Sequence, residues 1–184
     1  MDFFEVVKKR YSEKKGFVRV DIPLKNIEKI VDAGRIAPSA LNFQTTEFII
    51  VTERNLIDKI SDVIEKEYLK DASALILLVS DFNKEYVSED LKVKYYVHDA
   101  AAAMENILLA ITAMGYAGCW IDARLRMKDN SDRISQLLGI PDDRKIFGLI
   151  PIGKPKEYGV QREKKPFEER VFYNKYGKRK TDII

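Results

Sequence analysis

In the segment KKRYSEKK, Arg10, Ser12 and Lys14 alternate just past a helix-like N-terminal stretch. Residues two apart in extended backbone point the same way. A guanidinium, a hydroxyl and an ammonium on one side would hold a phosphate dianion. The competing reading is a solvated basic helix end that complements the helix dipole. A second candidate is APSALNFQ, residues 37–44. Backbone bent at Pro38 presents Ser39, Asn42 and Gln44 as donors and acceptors for a flat polar heterocycle, or simply turns a helix into a strand. The third is GYAGCWI, residues 115–121. It reads as a glycine-flanked approach of main chain to a ligand, or as a tight turn.

Other chemistries find no support. The chain has no G-x-G-x-x-G, no G-x-x-x-x-G-K-[ST] and no G-x-S-x-G pattern. His98 and Asp99 adjoin, but helix neighbours point about 100° apart, so they form no preset dyad. Cys119 lies beside Trp120 in apolar context and reads as a buried small hydrophobe. One cysteine and one histidine exclude an internal disulfide and a Cys/His metal cluster. Cysteine usage points to an intracellular, cytoplasmic protein. The start, MDFFEVVKKR, lacks the apolar core of a signal peptide, and no apolar run approaches the roughly 18 residues of a membrane span.

The 184 residues, 46% hydrophobic and 33% charged, have globular composition and favour one domain over 1–184. Net charge is +3, and residues 161–184 carry eight Lys/Arg against four acids. The basic excess therefore lies in the C-terminal tail, about 155–184. That tail is solvated, touches nucleic acid, or folds back onto an anionic ligand.

Positioning these groups requires helices and strands in alternation. Apolar spacing predicts helices over 2–11, 24–35, 54–68, 91–114 and 130–138. In the first, Phe3, Val6 and Val7 share a face. Strands are expected at 47–52, 72–81 and 146–153, with a short strand or loop at 118–121 and a polar loop at 82–90. The unbroken apolar run ASALILLVSD marks a central strand buried on both faces. Gly115 is a natural stop for the long alanine-rich helix. The reading is α+β, a central sheet flanked by helices.

Taken in order, these pieces resemble the nitroreductase family of FMN-dependent oxidoreductases. R-x-S-x-[RK] is Arg10-Tyr11-Ser12-Glu13-Lys14, and A-P-S-x-x-N-x-Q is Ala37 to Gln44. The long helix carries Asp99, Ala103, Asn106, Leu109, Ala110 and the Gly115 end; GCWI, PIGKP and Lys164-Lys165-Pro166 follow. The resemblance implies a mostly antiparallel sheet in an intertwined homodimer, with FMN at the interface touched by both chains. It implies that Arg10, Ser12, Lys14 and Lys165 or Lys164 bind the phosphate, with Gly153 nearby, and that Tyr11 also belongs to the cofactor site. Pro38, Ser39, Ala40 and Asn42 would meet the flavin of the other chain, and Trp120 and Ile121 would border it. The implied activity is transfer of electrons from NADH or NADPH to a small acceptor such as a nitroaromatic or quinone. It runs ping-pong through one flavin face, with no catalytic side chain, no metal, no nucleic acid and no membrane. A dehydrogenase or dehalogenase with a specific aromatic substrate, or a non-catalytic flavin-binding module, is the alternative. The sequence departs from the family where Tyr11 replaces a second Arg and Thr45-Thr46 replaces Pro-Trp. The counterpart of the insert that often covers the site is short if it is Phe82–Tyr96.

Overall fold

A computed structural model describes residues 2–81, 83, 87–88 and 93–182. A sheet runs β1 (Phe17–Val18), β7 (Arg144–Pro155), β3 (Ala74–Asp81), β2 (Thr46–Val51), with β6 (Ala117–Gly118) also paired to β7. Every one of these pairings is antiparallel. A separate ribbon joins β4 (Val87–Ser88) to β5 (Val93–Lys94).

The apolar run at 74–81 becomes β3 because it has a hydrophobic layer on each face. Leu75 and Leu77 pack with Ile57 and Ile60 of α3 (Arg54–Val63) and Ile134 of α5 (Asn130–Leu138). Ile76 and Leu78 pack with Ile27 and Ile30 of α2 (Leu24–Arg35) and with Met104 and Ile107 of α4 (Tyr96–Ala113). Every residue of β3 is buried, as a doubly covered strand requires. The result is an α+β architecture with an antiparallel sheet between two helix layers.

Several boundaries differ from the pattern in the sequence. The long helix begins at Tyr96 rather than 91, because Val93 and Lys94 pair with Val87 and Ser88. Residues 91–92, like most of the expected polar loop and insert, lie outside the described residues. The helix after β2 ends at Val63, and a short 3-10 turn at Glu67–Asp71 follows. β7 extends to Arg144 and Pro155, since pairing with β3 and β1 carries it past its apolar run. In α1 (Phe3–Lys9) only Val6 of the expected face is buried; Phe3 is 62% exposed and Val7 40%. β1 was not expected at all.

Candidate functional site

The helix α1 ends at Arg10, whose backbone is extended (φ −60°, ψ 125°). Ser12 forms a parallel bridge to Gly118, and the Glu13 amide donates to the Gly118 carbonyl at 2.9 Å. Segment 10–14 is thus pinned to β6, and its side chains alternate. Ser12 and Lys14 face solvent; Tyr11 is half-buried and Glu13 fully buried. A buried carboxylate needs partners, and Glu13 has three. Its Oε1 accepts from the Lys15 amide (2.6 Å) and the Gly16 amide (3.0 Å), while Tyr11 Oη donates to Oε2 (3.1 Å). Glu13 ties down the chain that presents the basic groups.

The C-terminal tail forms the opposite wall of a cleft of about 510 Å³ that includes Arg10, Ser12, Lys14, Gln161, Arg162 and Lys164. Three contacts hold it there. Tyr158 Oη donates to the Gly115 carbonyl at 3.1 Å. Gln161 Nε2 donates to the carbonyls of Val7 (3.2 Å) and Arg10 (3.0 Å), satisfying acceptors that the end of α1 leaves free. Gly159 lies flat on the Tyr11 ring; a Cβ there would stand 2.5 Å from Cε2. Burial pushes the Tyr11 phenol above its usual pKa, a backbone bond at Gly159 opposes this, and Glu13 adds to it. Beneath the cradle, burial pushes the Cys119 thiol up against the opposing pull of Lys14 and Ser12. Arg10 Nε stands 3.7 Å from Glu105 of α4.

The second group lies elsewhere on the chain. After α2 the backbone makes a 3-10 turn at Ala40–Asn42, and Leu41, Asn42 and Gln44 all have positive φ (48°, 59° and 52°). Ser39 Oγ accepts from the Gln44 amide (3.0 Å). Asp99, buried in the first turn of α4, accepts from the Ala40 amide (Oδ1, 2.9 Å) and from Thr45 Oγ1 (Oδ2, 3.2 Å). His98, its sequence neighbour, is exposed. No hydrogen bond involves the Asn42 side chain among the described residues.

The structure therefore brings Arg10, Tyr11, Ser12, Lys14 and Lys164 to one cleft. Lys165 does not line it, nor do Pro38, Ser39, Ala40 and Asn42. Trp120 is half-buried, its ring centroid 5.8 Å from that of Phe147. Ile121 is buried and exchanges main-chain bonds with Leu149 at 2.9 and 3.0 Å. Gly153 sits in β7 against Phe17, where a Cβ would stand 2.6 Å from the ring carbon Cδ1. Three contributors escape a reading of the sequence: Glu13, Gln161 and Asp99 as a clamp. Glu13 carries a weak signal, an acid at an inward-alternating position between basic residues. Gln161 carries none. Among the described residues no group of three or more His, Cys, Asp or Glu could hold a metal ion.

The cleft has the volume of a cofactor site, and its donors are those of a phosphate site: the guanidinium groups of Arg10 and Arg162, the ammonium groups of Lys14, Lys15 and Lys164, and the Ser12 hydroxyl. The residues present fit the phosphate end of a mononucleotide. Tyr11, Tyr158 and Val160 add aromatic and apolar surface to the same cleft.

This fold agrees with the comparisons. The nitroreductase family model matches residues 7–78 and 64–154, and the chain belongs to the nitroreductase family. A relative from Archaeoglobus fulgidus, provisionally named a NADH dehydrogenase/NAD(P)H nitroreductase, is 35% identical over 133 residues, 72% of this chain and 74% of its own. Iodotyrosine deiodinase 1 of Rattus norvegicus is 26% identical over 182 residues, 84% of this chain and 62% of its own. Among solved structures, the FMN-dependent nitroreductase of Clostridium difficile R20291 superposes with a TM-score of 0.80 at 25% identity, covering 94% of this chain and 99% of that one.

Proposed function

We propose that the protein is an FMN-dependent NAD(P)H oxidoreductase that works as a homodimer, each flavin held by the cradle of one chain and the 38–42 loop of the other. The observation that carries this reading is the division of the site. One chain offers a cationic cleft at Arg10–Lys14 and, apart from it, an exposed polar loop at 38–44 in which the Asn42 side chain makes no hydrogen bond among the described residues. Arg10, Lys14 and Lys164 would neutralise the phosphate, with the Ser12 hydroxyl donating to it. Lys164 lines the cleft where Lys165 does not, which favours Lys164 for this role. Pro38, Ser39, Ala40 and Asn42 would border the ring from the neighbouring chain. Bound FMN would supply the redox chemistry, taking hydride from NADH or NADPH and passing electrons to a nitroaromatic or quinone. The chain's own part is to bind, orient and shield, and we assign no catalytic side chain.

Relatives named for NAD(P)H oxidoreductase activity and an FMN-dependent structural neighbour support the cofactor and donor. Exposed Phe3, Phe4 and Val7 supply apolar surface for a partner chain. No described helix is long and apolar enough to cross a membrane, and the lone Cys119 suits the cytoplasm. The tail's return onto α1 favours a ligand role over nucleic-acid binding. A second reading, reductive dehalogenation of an aromatic substrate, draws on the deiodinase likeness.

The test is the visible spectrum of purified protein, followed by initial rates with NAD(P)H and a quinone. Flavin bands and parallel double-reciprocal lines are expected. A colourless preparation that refuses added FMN would reject the cofactor, and intersecting lines would reject the shared flavin face.

A further inference from the structure

The loop that the proposed function sets against the neighbouring flavin has an unusual backbone. Leu41, Asn42 and Gln44 supply three of the six non-glycine positive-φ residues among those described. A Cβ makes that region unfavourable, and residues held there need surroundings that impose the conformation. Apolar burial does not impose it here. Leu41 is 73% exposed and Phe43 43%. Behind the loop lies a cavity of about 120 Å³, bordered by Gly34, Pro38, Ser39, Thr46 and Asp99, so the segment has room to relax inward. Thr46 Oγ1 is buried with no hydrogen-bond partner among the described residues.

Hydrogen bonds remain, and one of them, from the Asp81 amide of β3 to the Thr45 carbonyl at 2.9 Å, ties the end of the loop to the sheet. The Ser39–Gln44 bond and the turn bonds (Asn42 amide to Ser39 carbonyl, Phe43 amide to Ala40 carbonyl, each 3.0 Å) are internal and travel with the loop. Asp99 is different. Its two oxygens, fixed on α4, grip the Ala40 amide and the Thr45 hydroxyl on either side of the positive-φ residues. Asp99 is 6% exposed, and α4 packs on the sheet through Met104 and Ile107, so the clamp stands on rigid structure.

We infer that Asp99 is a positioning residue: by clamping Ala40 and Thr45 it holds the 40–44 loop in the conformation that receives the flavin ring of the neighbouring chain. This rests on the proposed function. The ring, not the phosphate, is what this loop would touch, so losing the clamp weakens FMN and riboflavin alike. A residue that merely stabilised the first turn of α4 through the helix dipole would change thermal stability and leave flavin affinity alone.

The experiment measures FMN and riboflavin affinity, and the visible circular dichroism of bound flavin, for wild type, Asp99→Leu, Asp99→Asn and Thr45→Val. Asparagine keeps an acceptor for the Ala40 amide and offers its NH₂ to Thr45 Oγ1, so D99N should stay within about threefold of wild type. D99L, which keeps the shape and loses both bonds, should weaken both flavins by about tenfold or more and alter the dichroic band. T45V removes one bond only; a loss of about threefold for both flavins is expected, and it stands as the test should D99L fail to fold. Wild type that binds flavin, with T45V and folded D99L unchanged, would overturn the role of Asp99 alone. D99N as weak as D99L would overturn the clamp, since charge rather than hydrogen bonding would then be at work. Wild type that binds neither flavin would overturn the proposed function and this inference together.

Discussion

Gln161 and Arg10 lie 151 positions apart in sequence, yet the Gln161 side-chain amide donates to the Arg10 carbonyl at 3.0 Å. The same amide reaches the Val7 carbonyl, so one residue of the tail closes the last turn of α1. That contact makes the cleft two-walled. Replacing Gln161 with Ala should cost about 0.5–1.5 kcal/mol per hydrogen bond lost. The tail should become more susceptible to trypsin at Lys164 and Lys165, and FMN should bind a few-fold more weakly. Limited proteolysis with and without FMN reads this out; an unchanged cleavage rate would contradict it.

Arg10 is the strongest single test of the cradle. Hydrogen bonds to charged groups contribute about 1.5–3 kcal/mol, so Arg10→Ala should weaken FMN by about tenfold to about a hundredfold. Riboflavin lacks the phosphate and should bind unchanged. Titration of both flavins, with circular dichroism to confirm folding, decides. Equal losses would make Arg10 structural, a role its approach to Glu105 allows.

Gly153 has a packing reason to be glycine, whatever its distance from a ligand. Gly153→Ala forces a Cβ against the buried Phe17 ring, which cannot swing away from the core. Overpacking of this kind costs about 1–3 kcal/mol, and thermal unfolding should come about 2–4 °C earlier per kcal/mol in a chain of this size. An undiminished Tm would show that β1 yields without cost.

Much of the fold was legible because burial writes itself into sequence. The span of α2 matched residue for residue, and the unbroken apolar run at 72–81 announced a strand covered on both faces, which forms from Ala74 on. The alternation of Arg10, Ser12 and Lys14 proved to be real extended backbone. What escaped was tertiary. β1 is two residues long, too short for any period. The ends of β7 are fixed by partners rather than by apolar residues; Arg144, for instance, pairs with Asp81 at 3.0 Å and Glu47 at 3.1 Å. Gln161 looks like any polar tail residue until the tail folds back. Phe3 and Val7 share the apolar face read from the sequence but stay exposed in the single chain, where the proposed partner would cover them.

Alkaline pH offers a test that is independent of the flavin. Burial, helped by the charges of Cys119 and Glu13, pushes the Tyr68 phenol up to about 12 from an ordinary 10.0. The folded state thus holds this proton more tightly than the unfolded chain. Between those values it binds more protons, so stability falls as pH rises from about 10 towards 12. Urea midpoints should decline over that range, and Tyr68→Phe should flatten the decline. An equally steep fall in the variant would assign the alkaline loss to other groups.

The central claim is that each flavin site is assembled from two chains. Arg10→Glu destroys the cradle, and Ala40→Trp fills the space the loop leaves for the ring. Differently tagged copies of the two variants, co-expressed and purified as heterodimers, separate the alternatives. If the site is shared, one site in the heterodimer combines the intact cradle of the Ala40→Trp chain with the intact loop of the Arg10→Glu chain, while the other carries both defects. The expected result is one FMN per heterodimer at wild-type affinity and none in either homodimer. A heterodimer that binds no flavin, beside a wild type that binds two, would mean that cradle and loop serve a site within one chain, and would contradict the account.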